Sequence, residues 1–244
     1  MLAGITAVRA GEGAGSESDF GLTTGGLSRD VTRRYEMLSG ATGMHSSVVA
    51  HQVHGIRVVE VGSPPGGGSR VEGEADGLMT SEKGVLLVVT AADCVPVFVV
   101  DVAGRCIALL HAGWRGVAGG ILEVGLSMLE RRFGVGPADL ALYFGPSICG
   151  SCYEVGADVL RAFRRDASRP ARLDLRAELL LRAVGAGVAP NRVLRSEWCT
   201  RCGPEHLHSH RARGSEAGRM AAFLGLVPGT PTRPRSTDQG RELR

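Results

Sequence analysis

The sequence predicts an α/β fold in a single domain, on three observations. Two apolar runs rich in β-branched residues, Val85–Thr90 and Val95–Asp101, have the unbroken hydrophobicity of strands buried on both faces. Segments with apolar residues at three- and four-residue spacing are interleaved with these and with further short strand-like runs. No internal repeat and no linker divides the chain, whose 244 residues fit one large domain or two small ones. Hydrophobic residues at 43% and charged residues at 22% are enough to build a core without disulfide or metal staples.

Residues 1–47 are polar and glycine-rich, with one helix expected over Ser28–Thr42, opened by Ser28 or Asp30 as a cap. Val48–Ala50 and Arg57–Val61 read as short strands on either side of HQVHG, and SPPGGGS at Ser63–Ser69 reads as a surface loop. After the two central runs, Gly104 turns the chain into a strand over Arg105–Leu110. HAGWRGVAGG follows, then a helix over Val117–Phe133, where Ile121, Leu122, Gly125, Met128, Leu129 and Phe133 recur at helical spacing. Leu140–Phe144 is a strand, GPSICGSCYEVG is a loop, and a helix is expected over Glu154–Arg165. Asp174 caps a third helix that runs to Ala186. Strands are expected over Val193–Trp198 and Gly218–Val227. Residues 1–227 form the domain, and 228–244, with almost nothing apolar to bury, form a disordered tail.

Composition excludes several classes. Glycine is abundant, 36 residues, but follows no three-residue period, so the chain is not collagen-like. Aromatics at 5% argue against a surface that stacks bases along a strand. The net charge of +3 is carried almost wholly by arginine, since Lys83 is the only lysine, and it is scattered. With no positive stripe, no nucleic-acid partner is expected. The most apolar stretch is interrupted by Asp93 and is too short to span a bilayer, and the N-terminus has no basic start followed by an apolar run. A cytoplasmic location without membrane contact is therefore expected.

Three residues end short elements and carry ligand chemistry: His54 in HQVHG, Cys94 in TAADCVP and His111 in LLHAGWRG. Histidine and cysteine are preferred zinc ligands, and three protein ligands leave a fourth position for water or substrate. His111 precedes Ala112 and Gly113, small residues that leave room beside it. Taken singly, each residue has a plain structural reading, Cys94 in the core and the histidines on the surface, and spacing alone does not unite them. Gln52 precedes His54 by two residues and in extended backbone faces the same side, where it would contact substrate or orient a ligand, or else serve packing or capping. Asp93, beside the thiol, is placed to support it.

The remaining cysteines include two CxxC pairs, Cys149/Cys152 and Cys199/Cys202. Their separation far exceeds the ~15–20 residues of a zinc ribbon, which argues against a joint four-cysteine site. His206, His208 and His210 follow as HxHxH, which on a strand would point three rings one way and offer a second metal site together with Cys199 and Cys202, or a surface cluster without a metal.

HQVHG, ADGLMT, GVLLVVTAADCVPVFVVD, HAGWRG, GPSICGSCYEVG, the Cys199-Thr200 pair and SHRARG…AGRM, taken together, resemble the YfiH (DUF152) family. It is also called the laccase-domain or polyphenol-oxidase family and has been re-described as multifunctional purine nucleoside enzymes. The resemblance spans His51 to Met220. It implies a single-domain layered α/β/β/α sandwich of the cytotoxic necrotizing factor-like cysteine hydrolase type, without cupredoxin barrels. It implies a mononuclear zinc site on His54, Cys94 and His111, which are then also the catalytic residues. The implied activity is phosphorolysis of purine nucleosides and methylthioadenosine together with adenosine deamination, by a monomer acting on nucleosides and phosphate. Arg211, matching the family's S-x-R, is the first choice for binding phosphate and Arg115 the second, a structural ion pair being the alternative for each; beyond the resemblance, Glu74 or Asp76 is the candidate general acid or base for deamination.

Alternatives remain. Copper is the alternative metal, for a polyphenol oxidase, although seven histidines are too few for a multi-copper laccase centre. Cys94 as a nucleophile would suit an amidase acting on peptidoglycan precursors. A non-catalytic zinc or thiol binding module is the reading outside enzymes. Cys149, Cys202 and the three histidines depart from the family pattern, and Arg9 matches its arginine-containing start only loosely.

Overall fold

The computed structural model describes residues 1–7, 13–16, 19–22 and 29–229. Ser28, Arg9 and the tail beyond 229 lie outside them, so the expectations placed there have no structural counterpart. The chain begins with strand β1 (Leu2–Ile5), helix α1 (Arg29–Thr42), and strands β2 (Ser46–His51), β3 (Val58–Glu60), β4 (Gly68–Glu74) and β5 (Gly77–Thr80). Strands β6 (Val85–Ala91), β7 (Val95–Asp101) and β8 (Ile107–Ala112) lead to helices α2 (Trp114–Gly119) and α3 (Ile121–Phe133). There follow β9 (Leu140–Phe144), β10 (Glu154–Val155), α4 (Ala157–Ala162), β11 (Ala171–Arg172) and α5 (Leu175–Gly185). The last elements are β12 (Val193–Arg195), α6 (His210–Arg213) and β13 (Met220–Gly225).

Two sheets make the body of the molecule. One has the order β1-β13-β6-β2-β4 and the other β12-β9-β7-β8-β5-β3. They pack face to face, with Val48, Leu87, Val89, Ala222 and Leu224 of the first sheet meeting Leu78, Phe98, Ile107 and Leu109 of the second. The outer face of the five-stranded sheet is covered by α1, whose Val31 and Tyr35 pack on Val49, Leu86 and Val88. The outer face of the six-stranded sheet is covered by α3 and α5, with Ile121, Leu122, Leu129 and Leu179 over Val97, Val99 and Leu110. The result is a layered α/β/β/α sandwich.

This layering explains the unbroken apolar runs. Along β6, Val85, Leu87 and Val89 face the other sheet while Leu86 and Val88 face α1. Along β7, Val97 and Val99 face the helices while Phe98 faces the other sheet. Both faces of each strand are buried, so period-two alternation of polarity has no place in them.

Several elements differ from expectation, three of them around the helices and the β4 edge. The single helix over Val117–Phe133 is two, α2 and α3, because Gly120 adopts a left-handed conformation (φ 91°) that ends one helix and opens the next. The helix expected from Glu154 begins only at Ala157, since Glu154 and Val155 pair with β11. Part of the expected surface loop, from Gly68 onward, is the start of β4, paired in parallel with β2. Asp174 does cap α5, accepting from the Arg176 and Ala177 backbone N–H groups. Among the described residues no helix is long and apolar enough to cross a membrane.

Candidate metal centre and active site

His54, Cys94 and His111, scattered along the chain, come together at the open end of the sandwich. Their ligand atoms all lie within 4.8 Å of one another. Each comes from a different part of the frame. His54 lies on the loop after β2, Cys94 on the turn that carries the chain from β6 in one sheet to β7 in the other, and His111 on β8.

Asp76 ties two of them together. Its buried carboxylate accepts N–H groups from Val53, His54 and Gly55 at 3.2, 2.9 and 2.6 Å, and it meets His111 Nδ1 at 2.9 Å. The Asp76 carbonyl also accepts the His111 backbone N–H at 2.7 Å. With Nδ1 donating to the carboxylate, His111 has Nε2 left to bind a metal, an arrangement common to metal-ligating histidines. The three backbone bonds also hold His54 at φ 59°, a region that non-glycine residues rarely occupy. Burial works against ionisation of Asp76, and the His111 and backbone hydrogen bonds outweigh it, holding the carboxyl below the usual carboxylate range.

Asp93 plays a similar part for Cys94. It too has a positive φ, 91°, and its carboxylate accepts Thr200 Oγ1 at 2.6 Å, Ser209 Oγ at 2.7 Å and the Arg211 backbone N–H at 2.6 Å. Burial raises the Cys94 thiol pKa, but the two imidazoles more than offset it and bring it down to about 6. His111 is shifted the opposite way: burial lowers it, and the Cys94 thiolate and Asp76 lift it to about 9. A thiolate facing imidazoles at the floor of a cavity is a donor set suited to zinc or copper.

The room for an ion is set by Gly113. A Cβ there would stand 3.0 Å from Cys94 Sγ and 3.1 Å from His54 Cδ2, filling the cradle between the ligands. The residues present therefore fit a three-ligand metal site with one open position. That open side faces a cavity of about 720 Å³ whose lining includes Gln52, Arg115, Tyr153, His210, Arg211 and Arg219.

Arg211 lies with its guanidinium 5.0 Å from the Tyr153 ring centroid and donates from Nη1 to the Glu154 carbonyl at 2.8 Å. Arg115 stacks 4.3 Å from the Trp114 centroid. Burial and the Cys94 and Asp93 charges outweigh the two arginines and push the Tyr153 phenol up to about 12. Gln52 lines the cavity, but its carboxamide is engaged with Thr90: Nε2 donates to the carbonyl at 2.7 Å, and Oε1 accepts both the N–H and the hydroxyl. Of the roles weighed for Gln52, bracing β2 against β6 is the one these bonds describe. Glu74 sits exposed at the end of β4 and does not line the cavity.

Two further expectations change. HxHxH is not on a strand: His206 is exposed and packs edge-on to Trp198, His208 is buried, and His210 opens α6. The three rings join no metal-ligating group among the described residues. The four CxxC cysteines, against expectation, do come together, with their sulfurs within 4.8 Å of one another. Sequence reading also missed Asp76 as the brace of His111, Thr200 as a partner of Asp93, and Gly113 as the spacer. The ADG and AADC segments were legible as motifs, but the hydrogen bonds they make were not.

Residues 6–227 match the family model described as multi-copper polyphenol oxidoreductase laccase. The fold matches the crystal structure of the hypothetical protein YfiH from Bacillus licheniformis with a TM-score of 0.82 and 29% identity, covering 92% of each chain. The chain belongs to the YfiH, or laccase-domain, family. Relatives within reach of this YfiH-family chain include purine nucleoside phosphorylase YlmD of Geobacillus stearothermophilus, 34% identical over 92% of this chain and 89% of that protein. Adenosine deaminase RL5, from an unknown prokaryotic organism, is 35% identical over 62% of this chain and 61% of its own. The multi-copper description of the YfiH family is not matched by the ligands here. Among the described residues one metal-ligating group holds two imidazoles and the other holds none.

Proposed function

We propose that the protein is a zinc-dependent purine nucleoside phosphorylase that also deaminates adenosine and cleaves methylthioadenosine. The observation that carries this reading is the convergence of His54, Cys94 and His111 on the floor of a cavity bordered by Arg115, Arg211 and Arg219. A metal-ligand set and an anion-binding wall thus face one space. The cavity volume of about 720 Å³ lies within the range of small-molecule sites, and the YlmD phosphorylase and RL5 deaminase relatives point to the substrate class.

Zinc held by His54, Cys94 and His111 would supply Lewis acidity that lowers the pKa of water towards neutrality. The chain's own groups do the rest. Arg211 is fixed by Tyr153 and the Glu154 carbonyl, so its remaining N–H groups are preorganised to receive a phosphate. Arg115 offers a second cation to the same cavity. In phosphorolysis a phosphate oxygen bonds to ribose C1′ as the bond to the purine nitrogen breaks, and the proton given up by the phosphate passes to the departing purine, leaving ribose 1-phosphate and the base. Tyr153 stays protonated at neutral pH and gives the cavity a hydrogen-bond donor. In deamination water replaces the amine at purine C6, and ammonia leaves. Asp76 keeps His111 and the His54 loop in place through both reactions.

Adenosine incubated with the protein and phosphate is expected to give adenine and ribose 1-phosphate, and without phosphate to give inosine. Neither product from fully metal-loaded protein would overturn the reading. A second reading rests on the low-pKa Cys94 beside two imidazoles, the arrangement of a cysteine nucleophile. It requires metal-free protein to be the active form and Cys94 to be alkylated readily. Activity that depends on metal, with Cys94 protected from alkylation by it, favours the zinc enzyme.

A further inference from the structure

We propose that Cys149, Cys152, Cys199 and Cys202 form a second metal centre, a zinc tetrathiolate that fixes one wall of the cavity. The four sulfurs lie within 4.8 Å of one another, and Cys149 Sγ and Cys202 Sγ are 3.9 Å apart. Four thiolates about 2.3 Å from a shared zinc in tetrahedral array stand about 3.8 Å from each other. All four cysteines are free thiols in the structure.

The backbone around the cluster is arranged for thiolate ligands. Cys199 Sγ accepts three backbone N–H groups, from Cys149 at 3.3 Å, Arg201 at 3.4 Å and Cys202 at 3.5 Å. Amides aimed at one sulfur fix its orientation, as groups around a metal ligand do. Each CxxC forms a tight turn. In the first, Cys152 and Tyr153 N–H groups donate to the Cys149 carbonyl; in the second, the Gly203 N–H donates to the Cys199 carbonyl at 2.9 Å. A Cβ on Gly203 would meet that carbonyl at 2.2 Å, so the second turn closes only with glycine. Arg201, inside the second turn, donates to the Cys152 carbonyl and brings a positive charge to a centre that is net negative when loaded.

The topology accounts for the long spacing. Strands β9 and β12 are parallel neighbours, so the loops that follow them leave the sheet side by side. Ser147 and Cys199 extend that pairing as an isolated bridge, and Thr200 N–H donates to the Ser147 carbonyl. The intervening chain is the crossover, which contains α4 and α5. The zinc-ribbon spacing rule assumes a short hairpin between the pairs, and here the crossover takes its place.

The cluster bears on the cavity through short connections. Tyr153 follows Cys152 directly, and Thr200, next to Cys199, bonds to Asp93 beside Cys94. A metal across the two loops would hold these contacts together. This assignment does not depend on the nucleoside reading, because it is tested by metal content.

The test is zinc and thiol analysis of the full chain, expressed with ample zinc. The expected result is two zinc per chain, falling to one in Cys202→Ser and to one in Cys94→Ala. Should Cys202→Ser fail to fold, cobalt loading of the wild-type chain decides: one of the two equivalents bound is expected to give the intense sulfur-to-cobalt absorption of a tetrathiolate. One zinc per chain, lost entirely in Cys94→Ala, would overturn the proposal. So would iron in place of zinc at the cluster, or a count of fewer than six thiols in unreduced, denatured, metal-stripped protein, which would indicate disulfides.

Discussion

A methyl group on residue 113 would stand 3.0 Å from Cys94 Sγ and 3.1 Å from His54 Cδ2, inside the space a shared ion needs. Gly113 itself has φ −75° and ψ 171°, a conformation alanine adopts without strain. Gly113→Ala is therefore expected to leave the melting temperature of the metal-free protein near that of the wild type while cutting zinc affinity at least about tenfold. Isothermal titration with zinc and a thermal melt check both halves, and unchanged affinity would show that the ion does not use this cradle. Asp76→Asn should weaken zinc binding about 10–100-fold, because the amide cannot accept all four of the bonds now made by the carboxylate. Competition against a zinc-sensitive dye reads that change. The candidate ligands His54, Cys94 and His111 stood out singly because each ends a short element, but only the family resemblance joined them into one site. The braces were not, because Asp76 and Asp93 act across the fold on residues distant in sequence.

At the scale of the element, the central strands were legible because both faces are buried and the apolar run reports its own length. Strands β1 and β4 were not: β4 reads GSRVEGE, a half-buried edge strand whose pairing with β2 is decided by backbone hydrogen bonds. The split between α2 and α3 at Gly120 was hidden because apolar positions continue across it. The two CxxC turns show the same limit, since their proximity follows from the parallel pairing of β9 and β12.

The turn from β7 to β8 offers an element-level test. Buried Asp101 receives a two-pronged contact from Arg105 at 2.6 and 2.9 Å and backbone N–H groups of Ala103 and Arg105. Burial opposes its charge, and these partners outweigh burial, so the carboxyl titrates below its usual range. A carboxylate with a lowered folded-state pKa stabilises above its unfolded value and loses that contribution as pH falls through the folded one. Asp101→Asn should therefore cost about 1 kcal/mol at neutral pH, modest because Arg105 is partly exposed and solvent screens the pair. The gap between wild type and variant should close below about pH 4 in urea unfolding curves. A gap that persisted in acid would assign the effect to packing.

For the whole molecule, the candidate metal site is a seam. His54 follows a strand of the five-stranded sheet, His111 belongs to the six-stranded sheet, and Cys94 lies on the crossing between them. An ion that binds all three stabilises the folded chain by mass action, about 2.7 kcal/mol at a hundredfold excess over its dissociation constant. Chelation should then lower the melting temperature of the wild type by several degrees. Cys94→Ala should show a smaller drop under the same treatment. Equal drops in the two proteins would place the stabilising ion elsewhere.

The most direct test of the central claim is an anomalous difference map, recorded at the zinc edge, from crystals of the full chain grown with zinc. The expected result is a peak about 2.0–2.3 Å from a ring nitrogen of His54, the sulfur of Cys94 and Nε2 of His111. Protein that cleaves adenosine with phosphate yet shows no peak among these three residues would contradict it.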